Sequence, residues 1–226
     1  MKYKAVIFDM FGTLVDSFPQ DDYNALLTEM ANIVGVEPRF FNETWVASFK
    51  LRITGKMNMR QCTEHCVRQA GLEVDETKID TAVERIMSFM KEYIVPRPDV
   101  IESLEKLREL GLKIGVITDC ASSLEELWDG LTFSHLIDVP VFSSAVGIKK
   151  PAPEIYQIAF DRLELQAAEC LYVGDGGSFE LTGAQNVGMT AIRIDGNKNP
   201  DVVQYELQDW QGTTITAISQ VLNHLN

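Results

Sequence analysis

Residues 5–14 read Ala-Val-Ile-Phe-Asp-Met-Phe-Gly-Thr-Leu, an apolar run that ends on Asp9 and is followed by a Gly-Thr turn. A short apolar run of this kind is typical of a buried strand in a parallel sheet. Open α/β sheets bind their ligands at the carboxyl ends of the strands, which is the position predicted for Asp9. Because an aspartate carboxylate can act as a nucleophile, Asp9 is the first candidate catalytic residue.

The rest of the chain alternates short β-rich runs with helical patterns, which indicates an α/β fold built on a parallel sheet. The predicted strands are residues 4–9, 113–118, 139–143, 170–174 and 190–194. Crossovers between parallel strands are almost always right-handed, so the intervening helices are expected to cover the sheet. The sequence therefore predicts a Rossmann-like, three-layer core with a parallel sheet in the middle.

The segment between the first two predicted strands is far longer than one crossover helix requires, which indicates an insertion. Two apolar stripes with helical spacing occur in it, at residues 23–33 and 79–93. We therefore predict a core domain of residues 1–15 and 97–226 with an all-helical cap domain of residues 16–96. A cap joined to its core by two linkers can close over a site and exclude water.

The composition limits the classes of function that the chain can have. Its 226 residues carry a net charge of −13, and 46% of them are hydrophobic. That composition is typical of a globular protein, and the acidic charge argues against binding to nucleic-acid phosphates. No apolar run approaches the roughly 20 residues of a membrane span, and no secretory signal is recognisable. A small anionic substrate would need local positive groups or a metal ion, and the oligomeric state stays open.

The four cysteines are too few and too dispersed to form a disulfide scaffold. We expect a cytoplasmic location, where thiols stay reduced. The spacing of Cys62, His65 and Cys66 could place metal ligands on one helix face, but zinc takes four ligands and no fourth is nearby. We therefore interpret Cys62 and Cys66 as thiols packed within a helix.

Several residues with reactive or charged side chains fall at the carboxyl ends of the predicted strands. They are Asp9, Thr118 with Asp119, Lys150, and Asp175 in the segment Val-Gly-Asp-Gly-Gly. In this order and at these separations they resemble the haloacid dehalogenase-like hydrolase superfamily. Residues 142–156 and 171–189 are particularly similar to that family, and the resemblance covers the whole predicted core.

The resemblance implies phosphoryl transfer, which needs an in-line nucleophile and neutralisation of the charge on the phosphate oxygens. Asp9 would attack phosphorus. Thr118 would donate a hydrogen bond to a phosphate oxygen, and Lys150 would pair with both the phosphate and Asp9. The resemblance also implies that Gly12 and Asp119 contact the substrate.

The resemblance also implies a Mg²⁺ ion, which prefers oxygen ligands and usually takes one or two carboxylates. Its ligands would be Asp9, the backbone carbonyl of Phe11, and Asp175. Glu180 stands where the family often has a second acidic residue, so it would bind the metal through water or position Lys150. An alternative is that Glu180 only begins a helix, where acidic side chains are favoured.

Phe11 occupies the position of a second aspartate that, in typical phosphatases of this superfamily, protonates the leaving oxygen and then activates water. Loss of general acid-base catalysis commonly costs about 10²- to 10⁴-fold in rate. The 2-haloacid dehalogenases also have an aromatic residue here, because halide leaves without a proton, and they attack carbon without a metal. Asp175 and the segment 118–120 differ from that branch. Phosphonoacetaldehyde hydrolases instead use a cap lysine, for which Lys50 is the candidate.

The predicted cap contains a basic stretch, residues 50–60, in an otherwise acidic chain. We expect Arg52 or Lys56 to contact an anionic part of the substrate, although a solvated helix face is the alternative. The leading prediction is a Mg²⁺-dependent hydrolase of a small phosphorylated metabolite, with the usual acid replaced by Phe11. The alternatives are a metal-independent dehalogenase-like hydrolase that acts at carbon, and a catalytically weak binding or regulatory protein.

Overall fold

The computed structural model describes residues 2–195, 202–203 and 209–225. Within these residues the central element is a six-stranded sheet in which every neighbouring pair is parallel. The strands are β1 (Ala5–Phe8), β2 (Lys113–Thr118), β3 (Val139–Phe142), β4 (Cys170–Gly174), β5 (Thr190–Ile194) and β6 (Thr214–Ile215). Their order across the sheet is β3-β2-β1-β4-β5-β6, so β1 lies between β2 and β4.

Side chains of β1 alternate between two apolar clusters on opposite faces of the sheet. Val6 and Phe8 belong to one cluster, and Ala5 and Ile7 to the other. All four residues are fully buried, as expected for a strand of a parallel sheet that is covered on both faces. The predicted three-layer α/β architecture is therefore confirmed.

Six α-helices of the described chain lie between β1 and β2, and the first five of them, α1 to α5, form the insertion. They are α1 (Gln20–Val34), α2 (Pro38–Ala47), α3 (Phe49–Ile53), α4 (Met59–Gln69) and α5 (Glu76–Tyr93). We refer to these helices and their connections as the cap. Met30, Phe41 and Trp45 are fully buried and belong to the same apolar cluster as one face of β1. The domain boundaries given above stay a prediction.

Five further α-helices connect the strands of the sheet. They are α6 (Val100–Glu109), α7 (Ser122–Leu127), α8 (Ser143–Val146), α9 (Pro153–Leu163) and α10 (Glu180–Asn186). Leu104 of α6 packs in one apolar cluster, whereas Ile155 and Phe160 of α9 pack in the other. The helices therefore cover opposite faces of the sheet, and none in the described chain is long and apolar enough to cross a membrane.

The two chain segments that enter and leave the cap lie side by side. Val15 and Pro96 form an antiparallel bridge, and the backbone N–H of Arg97 donates to the carbonyl of Leu14 at 2.9 Å. The Arg97 guanidinium also reaches the carbonyl oxygens of Gly12 and Thr13, at 3.4 and 3.3 Å. Both linkers are therefore anchored next to the loop that follows β1.

The strand bounds differ from the predicted ones only at the ends, apart from one strand that the sequence did not reveal. β6 has two residues, which is too short for an alternating pattern to be recognised. Asp9 follows the end of β1, and its backbone N–H still donates to the carbonyl of Val173 at 2.9 Å. The hydrogen bond holds Asp9 at the carboxyl edge of the sheet.

Candidate active site

The carboxyl ends of β2, β1 and β4 meet at one edge because these strands are neighbours in the sheet. Phe8 pairs with Val116 on one side and with Val173 on the other. Asp9, Thr118 and Asp175 therefore come to the same place, and all three line one cavity together with Lys150. The fold therefore brings together these four candidate catalytic and metal-binding residues, which the sequence analysis identified in four separate segments.

Lys150 lies at the centre of the site and pairs with two carboxylates. Its side chain is 3% exposed, and its ammonium group donates to Asp9 Oδ1 and, at 2.5 Å, to Glu180 Oε2. The neighbouring Lys149 instead donates to the carbonyl oxygen of Lys150 at 2.9 Å. Lys150, and not Lys149, is thus the buried cation of the site.

Glu180, the first residue of α10, has no exposed surface. Besides Lys150, it accepts hydrogen bonds from the Tyr172 hydroxyl at 2.9 Å and from the Gly176 N–H at 3.0 Å. Both carboxylate oxygens therefore have donors, and Glu180 holds Lys150 in position. Sequence reasoning missed Tyr172, because its alternation within β4 identified it only as a core side chain.

Thr13 is a second residue that sequence reasoning missed. It is fully buried, and its hydroxyl donates to Asp9 Oδ2 at 3.1 Å. Asp9 is thereby held through both oxygens, since Lys150 occupies Oδ1. The signal in the sequence was a hydroxyl side chain four residues after the candidate nucleophile.

The carboxyl groups of the site compete for limited neutralising charge. Burial raises the pKa of Asp9 to about 6, and Asp175 adds to the rise, while Lys150 opposes it. Burial and the charge of Asp9 likewise raise the pKa of Glu180 well above its ordinary value. Burial disfavours the charged form of Lys150, but Asp9 and Glu180 outweigh it and hold its pKa well above the ordinary value. The single positive charge of Lys150 therefore cannot neutralise the negative charges of all the carboxylates in the site.

This carboxylate cluster suits a divalent cation. One oxygen each of Asp9, Asp175 and Glu180 lies within 4.8 Å of the others, and no other such group of three ligands occurs in the described residues. Hard cations such as Mg²⁺ take oxygen ligands of this kind, and a positive ion would relieve the repulsion between the carboxylates. The donor set thus fits Mg²⁺.

Gly12 allows Asp175 to approach the loop after β1. It has a φ of +82°, and a Cβ atom added to it would overlap with Asp175 Oδ2. The other oxygen of Asp175 accepts a hydrogen bond from the Gly177 N–H at 2.8 Å. A glycine at position 12 therefore meets both a backbone and a space requirement.

A cavity of about 160 Å³ lies between this edge of the sheet and the cap. Its cap side is made by mostly apolar or aromatic side chains, namely Phe18, Tyr23, Phe49, Arg52, Ile53, Met59, Ile86 and Met90. On the core side, Asp119 accepts a hydrogen bond from the Lys150 backbone N–H at 3.0 Å. Its other oxygen, Oδ2, is buried without a hydrogen-bond partner among the described residues.

Phe11 lines the cavity beside Asp9 and is half-buried. Its ring lies 5.3 Å from that of Phe18, and the Phe18 ring lies 5.3 Å from that of Phe89 in α5. The side chain that takes the place of the expected acid is therefore part of an aromatic cluster that joins the core loop to the cap.

A comparison with known families explains this arrangement. The model of the haloacid dehalogenase-like hydrolases matches residues 3–188. The chain belongs to this family. The match includes the loop after β1, the whole cap, Lys150 and the Asp175 loop, so every part of the site described above lies inside it.

Known members similar to this hydrolase include phosphatases and a dehalogenase. Glyceraldehyde 3-phosphate phosphatase of Methanopyrus kandleri is 32% identical over 139 residues, which cover 60% of this chain and 59% of that protein. The match thus spans less than two thirds of that relative. The structure of 2-haloacid dehalogenase from Pseudomonas syringae pv. Tomato DC3000 superposes with a TM-score of 0.74 at 26% identity, covering 99% of this chain and 98% of that one. A HAD phosphatase from Thermococcus onnurineus, at 24% identity and a TM-score of 0.67 over 98% and 97% of the two chains, shows the shared fold.

The basic residues of the cap of this hydrolase take different positions. Arg52 is 4% exposed and lines the cavity. Lys50 and Lys56 are exposed, and neither is among the cavity-lining residues. Of the residues considered at the sequence level for contact with the substrate from this stretch, the structure therefore brings only Arg52 to the site.

Proposed function

We propose that this hydrolase is a Mg²⁺-dependent phosphatase of small phosphorylated metabolites that acts through a covalent intermediate on Asp9. The observation that carries the proposal is the cluster of Asp9, Asp175 and Glu180, in which Lys150 pairs with Asp9 and Glu180 but not with Asp175. A dehalogenase that attacks carbon without a metal does not need the carboxylate of Asp175 beside its nucleophile, whereas Mg²⁺ usually takes one or two carboxylates. Mg²⁺, held by Asp9, Asp175 and the carbonyl of Phe11, would neutralise charge on the phosphate.

Each residue of the site has its own role in the proposed reaction. A carboxylate oxygen of Asp9 attacks phosphorus, and the bond between phosphorus and the leaving oxygen breaks. Lys150 and the hydroxyl of Thr118 bind phosphate oxygens while Glu180 holds Lys150. Water then attacks the aspartyl phosphate and regenerates Asp9. Phe11 has no proton to give, so the leaving oxygen departs as an anion or takes its proton from water.

Dehalogenation at carbon is the second candidate, and two observations favour it. Phe11 is aromatic and lines the cavity beside Asp9, and the dehalogenase structure described above superposes over almost the whole chain. In that reaction Asp9 would displace halide from carbon without a metal. The third candidate, a weakly catalytic binding or regulatory protein, rests on the missing acid alone. A cytoplasmic location stays a prediction.

One assay panel separates the candidates. The purified protein is offered phenyl phosphate, a sugar phosphate, phosphonoacetaldehyde and 2-chloropropionate, each with Mg²⁺ and with a chelator. We expect phosphate release that needs Mg²⁺ and is lost in Asp9→Asn but not in Asp161→Asn, whose side chain is exposed on α9. Metal-independent chloride release would overturn the proposal in favour of dehalogenation. No turnover with any substrate would favour the binding protein.

A further inference from the structure

Arg52 is a buried cation of the cap, 4% exposed. Nη1 donates to the Trp45 carbonyl at 2.5 Å and to Cys62 Sγ at 3.3 Å. These are its only hydrogen bonds to other described residues, and no described carboxylate forms an ion pair with it. A guanidinium has five N–H donors, so those on Nε and Nη2 are left for a ligand. The one acidic partner that the described residues supply is the Cys62 thiol, which reaches only Nη1, so the remaining donors can pair with an anion in the cavity.

Arg60, in the next helix, is an arginine of the cap that pairs with carboxylates of the cap itself. Its guanidinium pairs with Glu64, Glu76 and Asp80. Arg60 is not among the residues that line the cavity. The absence of such partners therefore distinguishes Arg52, which faces the cavity, from its neighbour in the same cap.

Aromatic rings hold Arg52 in place and add a second donor. The guanidinium carbon lies 4.4 Å from the centre of the Trp45 ring and 5.9 Å from that of Phe49. Trp45 Nε1 donates to the Tyr23 hydroxyl at 2.9 Å, so that hydroxyl accepts there and keeps its own proton for a ligand. Tyr23 and Arg52 line the same cavity. A planar carboxylate suits such a pair, because arginine binds carboxylates in a bidentate geometry.

Apolar side chains make up much of the cavity wall, beside the polar groups at the sheet edge. Phe11, Ile53, Met59 and Ile86 face the cavity. Its volume of about 160 Å³ is close to that of an engineered cavity of about 150 Å³ that binds benzene. The whole ligand, with its phosphate and its carboxylate, has to fit this volume, so its body is no larger than one ring.

Phe11 restricts the chemistry of the leaving group. Without an acid at this position, the electron pair of the broken P–O bond stays on the leaving oxygen. A phenol has a pKa of about 10, well below that of a simple alcohol, so phenolate leaves far more readily. The site therefore favours phosphate esters of acidic hydroxyl groups.

Building on the proposed function, we propose that the substrate is the phosphate monoester of an acidic hydroxyl, phenolic or enolic, on an apolar body of one-ring size with a carboxylate that Arg52 binds. Lys150 and Thr118 hold the phosphate at one end of the cavity, and Arg52 and Tyr23 hold the carboxylate at the other. The products are inorganic phosphate and the free hydroxy acid, after water has cleaved the intermediate on Asp9.

The test compares 4-carboxyphenyl phosphate with 4-carbamoylphenyl phosphate, which has the same shape but no negative charge on the ring substituent. A charge-assisted hydrogen bond at this site should give the carboxylate at least about a tenfold advantage in kcat/KM, mainly through KM. Arg52→Gln should abolish the preference, whereas Arg60→Gln should keep it. The proposal is overturned if the wild type does not prefer the carboxylate, or if Arg52→Gln slows both substrates equally.

Two further variants guard against a purely structural effect. Arg52→Lys keeps the charge but not the paired donors, so an intermediate preference is expected. Cys62→Ser keeps an acceptor for Nη1 and removes the thiol, whose pKa is lowered to about 6 by the hydrogen bond from Cys66 and the charge of Arg52 despite burial. Cys62→Ser should leave the preference unchanged. Loss of the preference in Cys62→Ser would show that the preference depends on the contact between Arg52 and the thiol, and it would overturn the proposal.

Binding without turnover distinguishes this inference from the proposed function. Calorimetry with 4-hydroxybenzoate and 4-hydroxybenzamide needs no catalysis, and we expect tighter binding of the carboxylate by the wild type but not by Arg52→Gln. If both esters resist hydrolysis while this difference persists, the proposed phosphatase activity is wrong and the carboxylate subsite stands. If hydrolysis occurs without this difference, the subsite is wrong.

Discussion

Gly55 of the cap lies so close to the backbone carbonyl of Ser144 in the core that a Cβ atom added to it would overlap with that oxygen. Gly55 has a φ of +66° and lies between α3 and α4. Ser144 belongs to α8, the short helix after β3. This contact joins the cap to the core three residues beyond Arg52, so closure of the cap and placement of Arg52 depend on the same turn.

Gly55→Ala should impair closure of the cap, and Gly71→Ala is its matched control. Both glycines have a positive φ, which by itself should cost an alanine about 1–2 kcal/mol of unfolding free energy, and at Gly55 the overlap with Ser144 adds to that cost. Only Gly55 faces a core atom, since a Cβ at Gly71 would have no neighbour within 4 Å. Steady-state kinetics should show a drop in kcat/KM of about tenfold or more for Gly55→Ala alone. Equal activities in the two variants would contradict a role in closure.

Lys150→Met should destabilise the fold, whereas Lys149→Met should not. Removing Lys150 leaves buried Asp9 and Glu180 without a cation, which typically costs about 3–5 kcal/mol. Lys149 contacts only a backbone carbonyl, so its loss should cost less than about 1 kcal/mol. Urea unfolding of both variants measures the difference.

The destabilisation by Lys150→Met should depend on pH. The pKa of Asp9 is about 6 in the folded protein, above its ordinary value of 3.8. A carboxyl with a raised pKa holds its proton more tightly when folded, so stability falls as the pH rises from the lower value through the higher one. Loss of Lys150 raises this pKa further. The penalty should therefore be larger at about pH 7.5 than at about pH 5, and a larger penalty at the lower pH would contradict the ion-pair account.

Phe11→Asp should restore a general acid, with Phe11→Asn as the control of similar shape that cannot donate a proton in this way. We expect Phe11→Asp to raise kcat on an alkyl phosphate by about tenfold or more relative to Phe11→Asn, within the usual range of acid-base catalysis. The gain on an aryl phosphate should be smaller, because its leaving group needs no proton. An equal gain on both esters would show that the substitution acts through cap packing against Phe18 instead.

Asp175→Asn should weaken the response of the protein to Mg²⁺. A cation that binds the folded state raises the unfolding temperature, and the rise grows with the ratio of its concentration to its Kd. Differential scanning fluorimetry across a Mg²⁺ titration should show a rise for the wild type and for Asp161→Asn. Asp175→Asn should show little or none. A full response in that variant would place the cation elsewhere than the cluster of Asp9, Asp175 and Glu180.

The sequence alone determined five of the six described strands and the position of the nucleophile candidate. An apolar run that ends on Asp9 encodes a buried strand, because side-chain alternation and burial are local properties of the chain. The carboxyl ends of neighbouring parallel strands meet at one edge, so Thr118 and Asp175 were also predictable as parts of the same site. The identity of Phe11, an aromatic without an acid, was visible directly.

Only the tertiary structure decided which charged side chains enter the site. The sequence already favoured Lys150 over its neighbour Lys149, but only the structure shows the contact of Lys150 with Asp9, which lies 141 residues earlier in the chain. Arg52 and Lys56 are both cap cations, but packing against Trp45 buries Arg52 while Lys56 stays in solvent. Such convergence depends on contacts between distant segments, and no periodicity within one segment records it.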